Sequence, residues 1–508
     1  MPASATYDVI VIGGGAVGEN AADRAARTGL SVVVIEHELV GGECSYWACM
    51  PSKALLRPGA ALEAARAVPG AAPAVSGSVD VAKTLEQRDQ FTQNWEDSSQ
   101  VEWLEGAGLN LIRGHAHLAG PRLVEVSTEE GTTSVQARAA VVVTTGSAAV
   151  IPEIPGLAQV QPWTSREATA AAEVPSSLAI IGGGVVGAEM ATAMSDLGCQ
   201  VTMLVRGDRL LRGTEPFAGR AVADSLRELG VDLRMHTAVT EVSRTDDGVC
   251  LQTDDGGQVR AAQVLVATGR RPRTENVGLE HVGLPPGEPL AIDDSGQVRG
   301  VAGGWLYAAG DVTGRSHTTH QGKYTGRVVG DVIAHHFGPS GSSADGSGVT
   351  DLGEDGRGRG PGADPGATGS GGAGGSAARA WSPLRARADH AAAPQVVFTR
   401  PEVATVGLTY QQALEAGHPA QAVTVSYGAV AGAALAADDH DGAATMVIDT
   451  DREVLLGATF VGPSAAEMLH AATIAVVAEV PLAQLWHAVP VFPTVSEIWL
   501  RLLEDYGL

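Results

Sequence analysis

Cys44 and Cys49, separated by four residues, stand in the stretch GGECSYWACMPSKALLRP, Gly41–Pro58. A thiol pair this close has two chemistries open to it. It can form and break a disulfide, or it can supply part of a metal site. A metal would need further ligands at suitable spacing, and the sequence offers none. Pro51 suits the first turn of a helix carrying Ser52, Lys53, Ala54 and Leu55. Both thiols then fall at or just before a helix N-terminus, where the helix dipole and Lys53 stabilise a thiolate. A close pair in a cytosolic chain is more often catalytic than structural. Cys199 and Cys250 are isolated and read as buried, inert thiols.

The elements around the pair repeat one pattern. Tyr7–Ile12 (YDVIVI) is an apolar run of strand length, followed by GGGAVG at Gly13–Gly18 and an alanine-rich helical stretch, Glu19–Thr28. A second strand, Ser31–Ile35, ends in Glu36. Gly13 allows the tight turn, Gly15 lets backbone approach a pyrophosphate, and Gly18 permits close helix–strand packing. Glu36 sits where a carboxylate accepts hydrogen bonds from an adenosine ribose. The pattern recurs at Leu178–Ile181, then GGGVVG with Gly182, Gly184 and Gly187, a helix through Leu197, and the strand Gln200–Val205. Two such units imply two dinucleotides in one chain. The second strand runs into Arg206 rather than an acid, with Arg212 six residues on and Arg209 between them. Arginine there favours a ribose 2′-phosphate, so NADPH is expected over NADH, with NADH still possible.

Three more apolar strands end in small-residue turns: Ala140–Ser147 with Thr145 and Gly146, Val264–Arg270 with Gly269, and Trp305–Asp311. Such turns belong where backbone meets a cofactor. Asp311 falls at a strand's carboxyl end, where ligands bind in open α/β sheets.

The chain has 508 residues, with 34 Lys plus Arg against 58 Asp plus Glu, a net charge of −24. At roughly 100–200 residues per domain this suggests about three domains. The negative charge argues against nucleic acid and against an anionic membrane as partners. Four cysteines are too few for a disulfide-stapled secreted scaffold. Met1–Tyr7 has no basic n-region, and no apolar stretch has spanning length. A soluble cytoplasmic protein is expected. Of the 65 glycines, 15 lie between Gly338 and Gly375 in a Gly/Ser/Asp/Pro stretch, expected to be a disordered insert.

With these motifs in place, the chain resembles the FAD-dependent pyridine nucleotide–disulfide oxidoreductases, the group of dihydrolipoamide dehydrogenase, glutathione reductase and mercuric reductase. The GGxCxxxxCxPSK motif carries the resemblance, which covers all but the insert. It implies an α/β fold: two Rossmann-like domains, for FAD and NADPH, plus a C-terminal α+β dimerisation domain. The implied domains are 1–160 with 295–337 for FAD, 161–294 for NAD(P)H, 338–392 as insert, and 393–508 as interface of a homodimer with a shared active site. Gly13, Gly15, Gly18, Glu36, Lys53, Thr145, Gly146 and Asp311 would hold FAD, with the His320–Gln321 turn nearby. Gly182, Gly184, Gly187, Arg206, Arg212 and Gly269 would hold the nicotinamide nucleotide. Cys44 would be the outer thiol that meets the acceptor and Cys49 the inner thiol beside the flavin. Lys53 would pair with Glu189. The implied reaction is a relay from NADPH through FAD and the Cys44–Cys49 disulfide to a small-molecule acceptor.

One departure stands out. Disulfide-reducing members carry a His-Pro-Thr…Glu dyad in the tail, the histidine serving as acid and base for the outer thiol. Here the tail reads VPVFPTVSE, Val489–Glu497, with Pro493, Thr494 and Glu497 in register and Phe492 at the histidine position. His487 lies five residues earlier and reads as a packed or solvated side chain. Glu497 stays a candidate catalytic residue, without its dyad partner. The acceptor is then expected to be a quinone, a metal ion or a specialised disulfide. A dihydrolipoamide dehydrogenase-like activity and a mercuric reductase-like one are the alternatives. Trp47, Phe492 and Trp499 hint at an apolar or planar acceptor.

Overall fold

The Tyr7–Ile12 run belongs to a strand, Ala5–Ile12, whose Val9, Ile10 and Val11 are fully buried. It pairs in parallel with Val32–Glu36 on one side and with Gly131–Val143 on the other. Leu306–Ala308 adds in parallel beyond Gly131–Val143. Continuous apolar runs suit strands covered on both faces. The antiparallel strands His115–Gly120 and Leu123–Thr128, with Asn110–Arg113 at the opposite edge, complete a seven-stranded sheet among the described residues.

The computed structural model describes residues 5–339, 381–390, 392–436 and 442–508. Its contacts form two units. The first comprises residues 1–38, 100–146 and 274–387, and the second 39–99, 147–273 and 388–508. Two units are coarser than the expected domains: 39–99 and 147–160 group with the second unit and 274–294 with the first. The helix Cys49–Arg66 explains the first difference. Its Leu55 and Leu56 share a core with Met190 and Met194 of the helix Val185–Asp196.

In the first unit the helix Ala16–Ala26 packs along Thr319–Phe337. Gly326 makes the approach possible, since a Cβ there would lie 2.7 Å from the Val17 carbonyl oxygen. Glu19, in the first turn of Ala16–Ala26, has an Oε1 that is buried with no hydrogen-bond partner. Burial pushes its carboxyl up to about 7, against a smaller opposing pull from Lys323. The folded chain therefore holds this proton more tightly than the unfolded one. The stabilisation is full below the ordinary carboxylate value and is lost as pH rises through 7, a loss of about 3 kcal/mol. Glu19→Gln is expected to melt above the parent at pH 8, with the gap narrowing toward pH 5. A gap independent of pH would contradict this.

The second unit holds a four-stranded parallel sheet in the order Asp232–Met235, Gln200–Val205, Ser177–Ile181, Gln263–Val266. A five-stranded antiparallel sheet follows in the C-terminal part, built on Val454–Val461 and backed by the helix Ala465–Val477. Arg400 joins the two parts through a bidentate pair with Asp196, both bonds 2.5 Å.

Residues 340–380 and 391 of the expected insert lie outside the described residues. Its far end does not behave as composition suggested. The Ala386 backbone N–H donates to the Asp294 carbonyl (2.7 Å), and Arg385 pairs with the Asp294 carboxylate at 3.1 Å. These are ordinary tertiary contacts, made by the Ala/Arg/Leu-rich segment that follows the glycines. Among the described residues no helix is long and apolar enough to cross a membrane.

Candidate redox and dinucleotide sites

In the first unit the chain turns at Gly13, with φ +102°, directly after the Ala5–Ile12 strand. A Cβ on Gly13 would lie 2.6 Å from the Thr144 carbonyl oxygen, so only glycine fits. Gly15 caps the helix Ala16–Ala26 in an extended conformation with no side-chain cap, and Gly18 sits tightly on Gly13. The first-turn N–H groups of such a helix suit a phosphate. Glu36 is buried and accepts from the Gly14 N–H at 2.7 Å and the Glu38 N–H at 2.8 Å, with His37 Nδ1 3.2 Å away. Burial alone would raise its carboxyl, but the His37 contact and the two N–H groups outweigh it and hold it below the ordinary value. A carboxylate has about four acceptor positions, so one remains for a ribose hydroxyl. Thr145 and Gly146 follow Thr144 at the end of the Gly131–Val143 strand, with Gly146 at φ +73°. Asp311 opens a short 3₁₀ turn three residues beyond the Leu306–Ala308 strand, and His317 Nδ1 lies 3.7 Å from its carboxylate. His320 and Gln321 open the helix Thr319–Phe337. These residues fit a bound FAD: a cradle closed to side chains, an uncapped helix start and a fixed carboxylate.

In the second unit the pattern repeats. Gly182 turns at φ +122°, Gly184 caps Val185–Asp196 without a side-chain bond, and Gly187 packs on Gly182. Arg206 follows the last residue of Gln200–Val205 and is exposed. Arg212 is already engaged, with its guanidinium 2.8 Å from Asp208, and Arg209 donates to the Arg212 carbonyl. The Arg212 bond holds the exposed Asp208 carboxyl below its usual range. Arg206 is therefore the stronger candidate for a 2′-phosphate. Gly269, at φ +134°, accepts from the Val150 N–H, and Arg270 beside it bonds Ser147.

The thiols are also in the second unit. Cys49 is the first residue of Cys49–Arg66, with Pro51 in its first turn. Cys44 does not share that helix start. It lies inside a separate five-residue helix, Gly42–Tyr46. Gly41 and Gly42, at φ +108° and +59°, let the backbone form this extra turn. The dipole argument therefore applies to Cys49 and not to Cys44. Both thiols are partly exposed, whereas Cys199 and Cys250 are buried, and burial pushes the Cys199 thiol up to about 11. Lys53 Nζ lies 2.7 Å from Glu189 Oε2. Glu189 is 4 % exposed, and its other oxygen accepts from the Phe398 N–H at 3.0 Å. Lys53 also stands 4.8 Å over the Phe398 ring.

Within one chain the three aromatics named from sequence stand apart. Trp47 lies under the Arg166 guanidinium at 3.7 Å. Trp499 packs edge-on against Phe460 in the C-terminal core. Phe492 is 71 % exposed, in an apolar tail with Val489 and Val491. His487 is exposed, whereas Glu497 is buried with an Oε2 that has no hydrogen-bond partner. Sequence reasoning missed Glu43, Arg166, Arg270 and Arg273, which meet beside Cys44. An acid next to a reactive thiol was a signal. Its arginine partners lie more than 100 residues away and gave none.

The family model for pyridine nucleotide-disulphide oxidoreductases matches residues 7–326, and the model for their dimerisation domain matches residues 393–502. A dihydrolipoyl dehydrogenase of Halobacterium salinarum is 31 % identical over 508 residues, covering 98 % of this chain and 95 % of its own. A mercuric reductase of Staphylococcus aureus is 29 % identical over 474 residues, covering 92 % and 77 %. Among solved structures, the Cu(II) complex of the HOCl-induced flavoprotein disulfide reductase RclA from Escherichia coli superposes with a TM-score of 0.78 at 22 % identity, covering 98 % of this chain and 99 % of its own.

Proposed function

Since the chain belongs to the pyridine nucleotide–disulphide oxidoreductase family, we propose that it is an NADPH-preferring reductase whose Cys44–Cys49 pair serves an acceptor other than a plain disulfide. Membership makes it a FAD-dependent enzyme that uses NAD(P)H and carries a dimerisation domain. FAD, when bound, supplies hydride acceptance from the nicotinamide and delivery of the electron pair to a disulfide. The chain's own residues do the rest. Gly13, Gly15, Gly18 and Glu36 cradle the pyrophosphate and ribose of FAD, with Asp311, Thr145 and Gly146 as further contacts. Cys49 is the sulfur through which the electron pair enters the disulfide, so that Cys44 is released when the bond opens, and the helix start then holds Cys49 as a stabilised thiolate. Cys44 is the thiol that meets the acceptor. The Lys53–Glu189 pair keeps a cation near the start of the Cys49–Arg66 helix.

Phe492 carries the choice of acceptor, because a phenyl ring cannot move the proton that disulfide exchange needs. A dihydrolipoyl dehydrogenase activity, named for one relative, would need another base. A panel of acceptors under NADPH tests the reading: quinones, lipoamide, glutathione disulfide and Hg(II). Fast turnover of lipoamide or glutathione disulfide would sink it.

Nucleotide preference rests on Arg206. A charge-assisted bond contributes about 1.5–3 kcal/mol. Arg206→Glu is therefore expected to lower the NADPH-to-NADH ratio of kcat/KM by about 10- to 100-fold. A parent enzyme that prefers NADH would contradict this.

A further inference from the structure

We propose that Arg166 and Glu43 form a clasp that orients Cys44, making both of them positioning residues for the outer thiol. The inference rests on reading Cys44 and Cys49 as a redox disulfide. A five-residue helix cannot hold itself together in water, so Gly42–Tyr46 must be fixed from outside. Glu43 and Trp47 are four residues apart and share one face of that turn. Arg166, in the helix Ser165–Ala170, grips both. Its Nε is 3.0 Å from Glu43 Oε1, and its guanidinium lies 3.7 Å over the Trp47 ring. From the same helix, Thr169 Oγ1 donates to the Trp47 carbonyl at 3.0 Å. Arg273 Nη2 is 3.0 Å from the same Glu43 oxygen, and Arg270 Nη2 is 3.8 Å from the other. Tyr46 is fully buried, and its carbonyl accepts from Trp95 Nε1 at 3.2 Å. These contacts fix the rotation of the turn about its axis, and with it the direction of Cys44, about 100° round from Glu43. The Glu43 side chain is 22 % exposed and that of Arg166 28 %. Their pairing is thus less screened than a surface ion pair.

Orientation of two thiols sets how readily they close into a disulfide. The test equilibrates the FAD-loaded enzyme with mixtures of reduced and oxidised dithiothreitol, then alkylates free thiols and measures Cys44 and Cys49 by mass spectrometry. In this exchange the dithiothreitol dithiol supplies two electrons and two protons. The Cys44–Cys49 bond opens to two thiols, and dithiothreitol closes to its cyclic disulfide. Glu43→Gln, Arg166→Gln and Arg166→Lys are each expected to weaken disulfide formation about tenfold, or about 30 mV toward easier reduction. Arg166→Lys keeps the charge and loses the planar stack, so a pure charge effect would leave it unchanged. Glu43→Gln and Arg166→Gln change local charge in opposite senses, so a charge effect would move them in opposite directions. The double variant Glu43→Gln/Arg166→Gln is expected to be no worse than the weaker single one. Melting temperature and FAD content of each variant identify any that misfold, and Arg166→Lys remains as the mildest change. A parent transition that the three variants leave unmoved, or move in opposite directions, overturns the clasp alone. A parent with no disulfide–dithiol transition overturns the functional reading and the clasp together.

Discussion

Phe492→His is expected to raise turnover of a plain disulfide, with NADPH as donor, by about 10²–10⁴-fold, the range that one positioned acid–base group contributes. The motif around it is otherwise complete. Pro493, Thr494 and Glu497 stand where a His-Pro-Thr…Glu tail would put them. Glu497 is buried, and one of its carboxylate oxygens has no hydrogen-bond partner. A buried oxygen of that kind is costly to leave unpaired, and in the dyad implied by the family resemblance a histidine N–H would be its donor. Within one chain the Phe492 side chain is exposed, and an imidazole of smaller size clashes with nothing there. The gain should come with a signature. The pH profile of kcat/KM should acquire a limb near the ordinary imidazole value of about 6.5, absent from the parent. Steady-state rates with lipoamide and glutathione disulfide between pH 5.5 and 8.5 check this. Fast parent turnover, or a variant with no gain, would show that proton transfer is handled elsewhere.

The second large effect concerns the inner thiol. Cys49→Ser is expected to lower NADPH-driven acceptor reduction by about 10⁴-fold or more, the scale of losing one member of a catalytic unit. Serine nearly matches the volume of cysteine and leaves the Lys53–Glu189 pair and the Cys49–Arg66 helix untouched. The loss would therefore be chemical. Cys199→Ser and Cys250→Ser serve as controls. Both thiols are buried, and the Cys199 thiol, pushed up to about 11, is protonated at neutral pH. These controls should leave the rate within about twofold, although a buried hydroxyl lowers stability by roughly 1–3 kcal/mol. Loss of rate in the controls, or its persistence in Cys49→Ser, would contradict the assignment.

Much of the fold was legible because the parallel strands are buried on both faces and read as unbroken apolar runs. Gln200–Val205 matches its expected span, and Ala5–Ile12 extends its run by two residues. The glycine turns were legible for a related reason, since Gly13 and Gly182 occupy conformations that few other residues adopt. The site was legible where its partners sit within a motif and illegible where they come from afar. Cys49, Pro51 and Lys53 are neighbours in one helix. Lys53 finds Glu189 only through tertiary packing, and the family resemblance, not spacing, supplied that pair. The arginines around Glu43 had no such guide. Cys44 was misplaced by one element, because two successive glycines with positive φ permit a turn that helix periodicity does not announce. The end of the low-complexity stretch was misread for a different reason. Composition averages over a window, whereas Ala386 and Arg385 act through single contacts to Asp294.

The central claim is that the Cys44–Cys49 pair exchanges electrons with a bound flavin. Its most direct test is an anaerobic titration of the FAD-loaded enzyme with NADPH, followed by visible absorbance. A working dithiol stores two electrons before the flavin does. The first equivalent should leave the oxidised flavin spectrum in place and add a long-wavelength band from a thiolate beside it. Full bleaching should need a second equivalent, and the band should be missing in Cys49→Ser. Bleaching complete at one equivalent, or a Cys49→Ser spectrum identical to the parent's, would contradict the account.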